Sequence, residues 1–390
     1  MSGRSQRLRV ALAILLAALA GCGSPPSVTR FERDAYPDRL SAWGVVVARG
    51  DALVLGRDVL PYDLATPLFS DYAHKLRTVW MPPGATARYS DTDVFDFPVG
   101  TIFSKTFFYP RYAGPRDPAR AGRVSLAEDP TRDFAGEGLA LDNVRLVETR
   151  LLVRSQDGWD ALAYVWDDAQ REAYLKIAGA DAKLDAVADD GSTVAVRYLV
   201  PTRNECANCH ATNHGSRQIR PIGPAARRLN KVYAHYADGA APQLARWVTT
   251  GRLDRAPEDA PADAVWRTGA FDDLEARARA YLDANCGHCH SPTGAADTSG
   301  LFLNRATSDW RQLGLCKAPI AAGRGSGGRS FAIVPGRPDA SIMTFRLAST
   351  EPSVMMPELG RTTVHHAGLE LIERWIAQLP GECVRPERSL

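Results

Sequence analysis

Charge of one sign, long apolar runs and methionine are all scarce in this chain. Its 390 residues carry 47 Lys and Arg against 45 Asp and Glu, a balance without the basic surplus that nucleic-acid binding demands. Three of those arginines, Arg4, Arg7 and Arg9, precede Val10–Ala20, an 11-residue apolar run. That run falls well short of the ~20 residues of a membrane-spanning helix. With its basic flank it has the form of a secretion leader. Helical periodicity is missing between about Trp43 and Pro201, which argues against an alternating βαβ fold. No Ser-His-Asp grouping stands out. Only five methionines occur, and none lies between His210 and Met343, so thioether ligands are few.

What is present begins with the leader's end. Leu19-Ala20-Gly21-Cys22 resembles the bacterial lipobox, so residues 1–21 are expected to be a lipoprotein signal peptide and Cys22 the lipidated N-terminus. Gly23 after the cysteine implies sorting to the outer membrane, facing the periplasm, and several acyl chains on one residue would anchor the chain firmly. Residues 22–40, opening with the Pro/Ser stretch Gly23–Val28, are expected to be a tether.

Two copies of Cys-x-x-Cys-His follow: Cys206-Ala-Asn-Cys209-His210 and Cys286-Gly-His-Cys289-His290. In an exported chain this pattern points to covalent haem c, the cysteines forming thioethers and the histidine serving as proximal iron ligand. Zinc is disfavoured, because 76 residues separate the two CxxC pairs where zinc modules have ~15–20. Of the seven cysteines, Cys316 and Cys383 remain, either as a disulfide in an oxidising compartment or as two free buried thiols.

A sixth iron ligand is sought opposite each histidine. For His290 the candidate is Met356, in Met355-Met-Pro-Glu-Leu-Gly360, where the proline stiffens the loop. Met355 competes, and Met343 reads as helix core. For His210 the candidate is His235, with Met81, in Trp80-Met-Pro-Pro83, or an open iron as alternatives. His214 falls one helical turn beyond His210, on the proximal side. The loop Gly323–Gly328 is expected to bring Arg324 or Arg329 to the haem propionates, His288 to be exposed, and His365 and His366 to open the last helix.

The fold class read from these patterns is multidomain: an N-terminal all-β unit, an antiparallel sandwich or barrel over residues 41–201, then a mostly α, cytochrome c-like haem region. The second part divides into a first haem module with linker, 202–264, and a second, class I-like module, 265–390. Strands are expected at Val144–Arg154 and Ala161–Trp166 around a Gln156-Asp-Gly158 turn, and at Ala173–Ile177 and Thr193–Val200. Helices are expected at Gln243–Leu253, Asp272–Ala284 and Ala367–Leu379. Leu244-Ala-Arg-Trp-Val248 recurs as Ile372-Glu-Arg-Trp-Ile376, which suggests two modules each closed by a Trp-bearing helix.

These residues, with Phe97-Pro-Val-Gly-Thr-Ile-Phe103 and Val334-Pro-Gly-Arg-Pro338, resemble the bacterial di-haem c-type cytochrome lipoproteins with a β-rich N-terminal domain. They also resemble cytochrome segments that accompany PQQ-dependent sugar dehydrogenases. The resemblance implies periplasmic electron transfer with a redox partner protein, such as a dehydrogenase or another cytochrome, rather than a stand-alone enzyme. A di-haem peroxidase-like enzyme and a sugar- or partner-binding redox subunit are the alternatives.

Overall fold

The computed structural model describes residues 24–112, 123–126, 133–188, 190–267 and 273–384; the leader and Cys22 lie outside them. The chain forms β1 (Val46–Arg49), β2 (Ala52–Leu55), β3 (Leu60–Tyr62), β4 (His74–Trp80) and β5 (Ile102–Pro110). Short β6 (Val124–Ser125), β7 (Phe134–Ala135) and β8 (Gly138–Ala140) come next, then β9 (Val144–Ser155), β10 (Gly158–Trp166), β11 (Ala173–Leu175), β12 (Ala180–Val187) and β13 (Thr193–Val200). The centre is a six-stranded antiparallel sheet in the order β11-β10-β9-β5-β4-β3. Aromatic and β-branched residues favour these extended segments. Ser155 pairs with Gly158, so Gln156-Asp157 makes a two-residue hairpin turn.

Side chains alternate between the two faces of this sheet. Leu76, Leu151 and Tyr164 point to one face, where Leu53 and Leu139 from the β1-β2-β8-β7 sheet and Trp43 from the turn before β1 cover them. Val79 and Phe103 point to the other and meet Leu244 and Trp247. On that same side Phe107 packs with Val196 and Tyr198 of the β13-β12-β6 sheet.

The described part of the expected tether is held to the body. Arg57 N–H donates to Pro26 O at 2.7 Å and Thr29 N–H to Trp43 O at 3.0 Å. Gly44 permits this approach: its φ is +67°, and a Cβ there would sit 2.1 Å from Ser27 O. Two backbone bonds and a glycine contact hold residues 26–29 against the body, because Val28 has apolar surface to bury.

The second half departs further, and the expected mostly α haem region is corrected. Strand outweighs helix, 27% against 20%, and among the described residues no helical haem region of the cytochrome type is built. Among the described residues six α-helices occur: α1 (Arg203–His210), α2 (Ala226–Leu229), α3 (Gln243–Thr249), α4 (Leu274–Leu282), α5 (Ile342–Ala348) and α6 (His366–Gln378). The longest has 13 residues, and turns and loops join them. Residues 202–264 do not form a separate module either. The ring of Trp247 lies 5.6 Å from Tyr62, 6.2 Å from Phe95 and 6.4 Å from Phe97, so α3 completes the sheet's core. The Leu244–Val248 and Ile372–Ile376 repeat therefore joins unlike environments, since Trp375 packs with Tyr281, Leu282 and Leu371. A Trp on an amphipathic helix satisfies either core, which is why the sequence pattern misleads.

Replacing Trp247 by alanine is expected to cost about 3–5 kcal/mol and to lower the urea midpoint of the whole chain in one transition. An early separate transition, with the sheet's circular dichroism signal intact, would mean that α3 belongs to an independent module.

Candidate functional site

The first motif is built by α1. Thr202 caps it, accepting from Glu205 N–H while the Glu205 carboxylate accepts from Thr202 N–H. This capping box starts the helix one residue before Arg203, so Cys206, Cys209 and His210 share a face. The second motif begins where α4 loosens into a π-helical turn, Asp283–Gly287. Asp283 is buried and accepts from Arg228 at 2.6 Å, Arg227 at 2.8 Å and the Arg305 N–H at 2.8 Å. Burial alone would raise its pKa, but the two guanidinium charges outweigh it and hold the carboxyl below its usual range.

The two motifs dock directly. His214 N–H donates to Thr293 O at 2.8 Å, Thr293 Oγ1 donates to Thr212 O at 3.0 Å, and the Cys289 thiol donates to Asn208 O at 3.3 Å. Cys209 and Cys289 also meet sulfur to sulfur, which lowers the pKa of Cys209 and raises that of Cys289. Burial raises Cys206 and pushes Cys286 up to about 12. None of the four is in a disulfide.

Both motif histidines are oriented alike. His210 Nδ1 lies 2.8 Å from Arg220 O and His290 Nδ1 lies 3.2 Å from Leu301 O. A proton on Nδ1 satisfies each carbonyl and leaves the Nε2 lone pair for another partner. Burial keeps both rings neutral, lowering His210 to about 4 and shifting His290 in the same direction.

Two adjoining cavities receive these groups. One, of about 600 Å³, is lined by Cys206, Cys209 and His210; the other, of about 510 Å³, by Cys286, Cys289 and His290. Both sizes suit a large organic ligand. Cys209, His288 and Met356 line both, so the cavities share a wall. Each holds two free thiols and a neutral imidazole, the donors that thioether attachment and axial ligation require. Among the described residues no group of three or more His, Cys, Asp or Glu side chains could hold a metal ion.

Met356 is fixed by its backbone. Its N–H donates to Arg346 O at 3.1 Å, and buried Arg361 donates to Met356 O at 2.8 Å and Ser349 O at 2.9 Å. Asp71, from the loop before β4, accepts from Thr362 N–H at 2.7 Å and Thr363 N–H at 2.8 Å. Met343 also lines the second cavity, whereas Met355 and Met81 are buried and line neither.

Several expected residues stand elsewhere. His235 lines neither cavity; its ring stacks on Phe134 of β7 at 3.8 Å, an apolar contact made from the loop before α3. His214 pairs with Asp297 at 3.4 Å. Arg324 pairs with Glu351, Arg329 lies over Phe345, and neither reaches a cavity. His288 is buried rather than exposed, because the first motif covers it. Cys316 and Cys383 form a disulfide with Cα atoms 5.2 Å apart.

Other cavity residues were not expected at a site, His365 having been read only as part of the turn that opens the last helix. His365, in the first cavity, stacks on Phe69 at 4.1 Å and meets Tyr281 Oη at 2.9 Å. On the sheet, Arg77, Lys105 and Arg150 line the same cavity. Charged residues at alternate strand positions read as a solvent face, and only the later segments folding over the sheet enclose them.

No family model, curated protein or solved structure matches the chain.

Asp283 gives a pH prediction. A carboxyl depressed in the folded state contributes stability above the unfolded value near 4 and loses it as pH falls through the lower folded value. Asp283→Asn leaves buried Arg228 without its carboxylate, while half-buried Arg227 keeps Asp263, and is expected to cost about 3–5 kcal/mol at pH 7. The deficit should shrink below about pH 4. Urea titrations at pH 7 and pH 3 check this; an equal deficit at both would mean that the ionised carboxylate does not matter.

Proposed function

We propose that this chain is a di-haem c-type redox protein that passes single electrons between a partner protein and its two cofactors. The observation that carries the reading is the common orientation of His210 and His290, each with Nδ1 at a backbone carbonyl in a cavity that also holds a free thiol pair. Haem c supplies reversible one-electron exchange at its iron. Cys206 with Cys209, and Cys286 with Cys289, would attach the two groups, and His210 and His290 would ligate their irons.

The chain's own part is to hold and insulate. The carbonyls of Arg220 and Leu301 fix the imidazole tautomer and its direction. Arg361 and Asp71 fix the loop that carries Met356, the sixth-ligand candidate for the second site. The shared wall at Cys209 and Met356 keeps the two sites adjacent, and adjacency favours electron exchange between them over exchange with solvent species. With the lipobox, this reading places the protein on the outer membrane facing the periplasm, anchored through Cys22 and accepting or delivering electrons to a soluble or membrane-bound redox protein.

A pyridine haemochrome assay on chain matured with haem-attachment machinery is expected to count two haems; one or none overturns the proposal. Met356→Ala is expected to lower one midpoint potential by on the order of 0.1 V, part of the ~0.8 V that axial ligands span. An unchanged potential and an unchanged long-wavelength thioether–iron band would remove Met356 from the ligand set.

A further inference from the structure

The sheet wall of the first cavity carries more positive charge than the protein neutralises. Arg77 faces Lys105 across β4 and β5, and Lys105 faces Arg150 across β5 and β9. Like charges directly opposite one another destabilise a sheet unless something answers them. Two residues along, on the same face, Lys75 and Glu148 flank Phe107. Lys75 lies 5.8 Å, Lys105 4.9 Å and Arg150 4.5 Å from the centre of that one ring.

The available anions are few. Asp63 accepts from Arg77 at 2.8 Å and from Lys231 at 2.9 Å. Glu148, fully buried, accepts from Arg150 at 2.5 Å and from Tyr198 at 2.6 Å. Lys75 Nζ donates to Leu68 O at 3.0 Å. Five cationic side chains thus share two carboxylates, and Lys105 makes no hydrogen bond or ion pair among the described residues. The remaining carboxylates at this cavity are engaged or distant. Asp181 pairs with Arg197, Glu205 caps α1, and Glu358 stands on the Met356 loop near Arg346. Burial and the neighbouring arginines push Lys105 down to about 7, and burial with Arg77 pushes Lys75 far below its ordinary value.

Enclosed positive charge is costly without a counter-ion, and guanidinium forks beside a free ammonium are suited to a carboxylate. We propose that Arg77, Lys105 and Arg150 form a cradle that binds a carboxylate group in the first cavity, with Lys105 as its uncommitted contact. Two sources have this chemistry: a propionate of the haem proposed at His210, or a free carboxylate entering from solution. The first source rests on the haem reading; the second does not.

The test uses the full matured chain, its Lys105→Met variant and the charge-preserving Lys105→Arg. Calorimetric titration with acetate examines the free source, and the midpoint potential of the first haem examines the propionate. Acetate binding that weakens at least tenfold in Lys105→Met and returns in Lys105→Arg supports a free carboxylate. No acetate binding, with a potential that falls by about 59 mV per tenfold change in the one-electron equilibrium in Lys105→Met and recovers in Lys105→Arg, supports the propionate. The absence of both responses overturns the cradle, and the haem count then shows separately whether the haem reading stands. If no haem is found, an acetate response lost in Lys105→Met still upholds the cradle.

Discussion

The structure turns on one buried carboxylate. Asp283 opens the π-helical turn that carries the second motif, and its partners Arg227 and Arg228 belong to α2, sixteen residues or so beyond the first. Two guanidiniums and the Arg305 amide converge on it, so the register between the two motif segments is set where neither can slide without uncovering charge. From that junction follow the Cys289–Asn208 contact, the sulfur contact between Cys209 and Cys289, and the common wall of the two cavities. A π-helical turn widens the helix locally, and here it brings Asp283 and Cys286 to opposite tasks: one faces the arginines, the other a cavity.

The β-rich half is part of the site rather than a separate domain attached to it. One face of the central sheet is closed by the small N-terminal sheet, and the other supplies the cationic wall of the first cavity and the aromatic seat for α3. Asp71, at the entrance to β4, reaches the backbone of Thr362 and Thr363, 291 and 292 residues away in sequence. Few local contacts could hold the Met356 loop so firmly, because α5 and α6 are short and the segment between them has no regular structure of its own. The tertiary bonds of Arg361 and Asp71 take the place of helix.

How much of this could be read in advance depended on the range of the interaction. The β9–β10 hairpin and α6 were legible because turn chemistry and apolar spacing are local: α6 runs from His366 to Gln378 where Ala367–Leu379 was expected. The thiol–thiol–imidazole sets were legible because five residues carry them. The error about the second half came from extending a local motif to a whole architecture, since a CxxCH specifies one turn of chain and says little of the hundred residues around it. His235 failed for the reverse reason: histidine chemistry is visible in a sequence, whereas a flat stack on Phe134, about a hundred residues earlier, is not. The cations of β4, β5 and β9 lay in plain view, but alternation made them look solvated until the motif segments closed over them.

The two sites are chemically unlike, and the difference follows from where each cavity sits. The second is enclosed by α5, residues 317–322 and the Met356 loop, with Met343 and Met356 both at its wall. Around a haem of the kind proposed, thioether sulfur and apolar walls would favour the reduced, low-charge state. The first is bounded by the sheet's arginines and lysine, with His365 and Tyr281 hydrogen-bonded to each other at its far side. Nearby positive charge also favours the reduced state, but by electrostatics that depend on what anion lies among the cations. With haem bound as proposed, the electron affinity of the second site would be set by ligands fixed in the chain. That of the first would follow the charge balance among Arg77, Lys105 and Arg150, which the chain leaves incomplete, so of the two the first would respond to its surroundings.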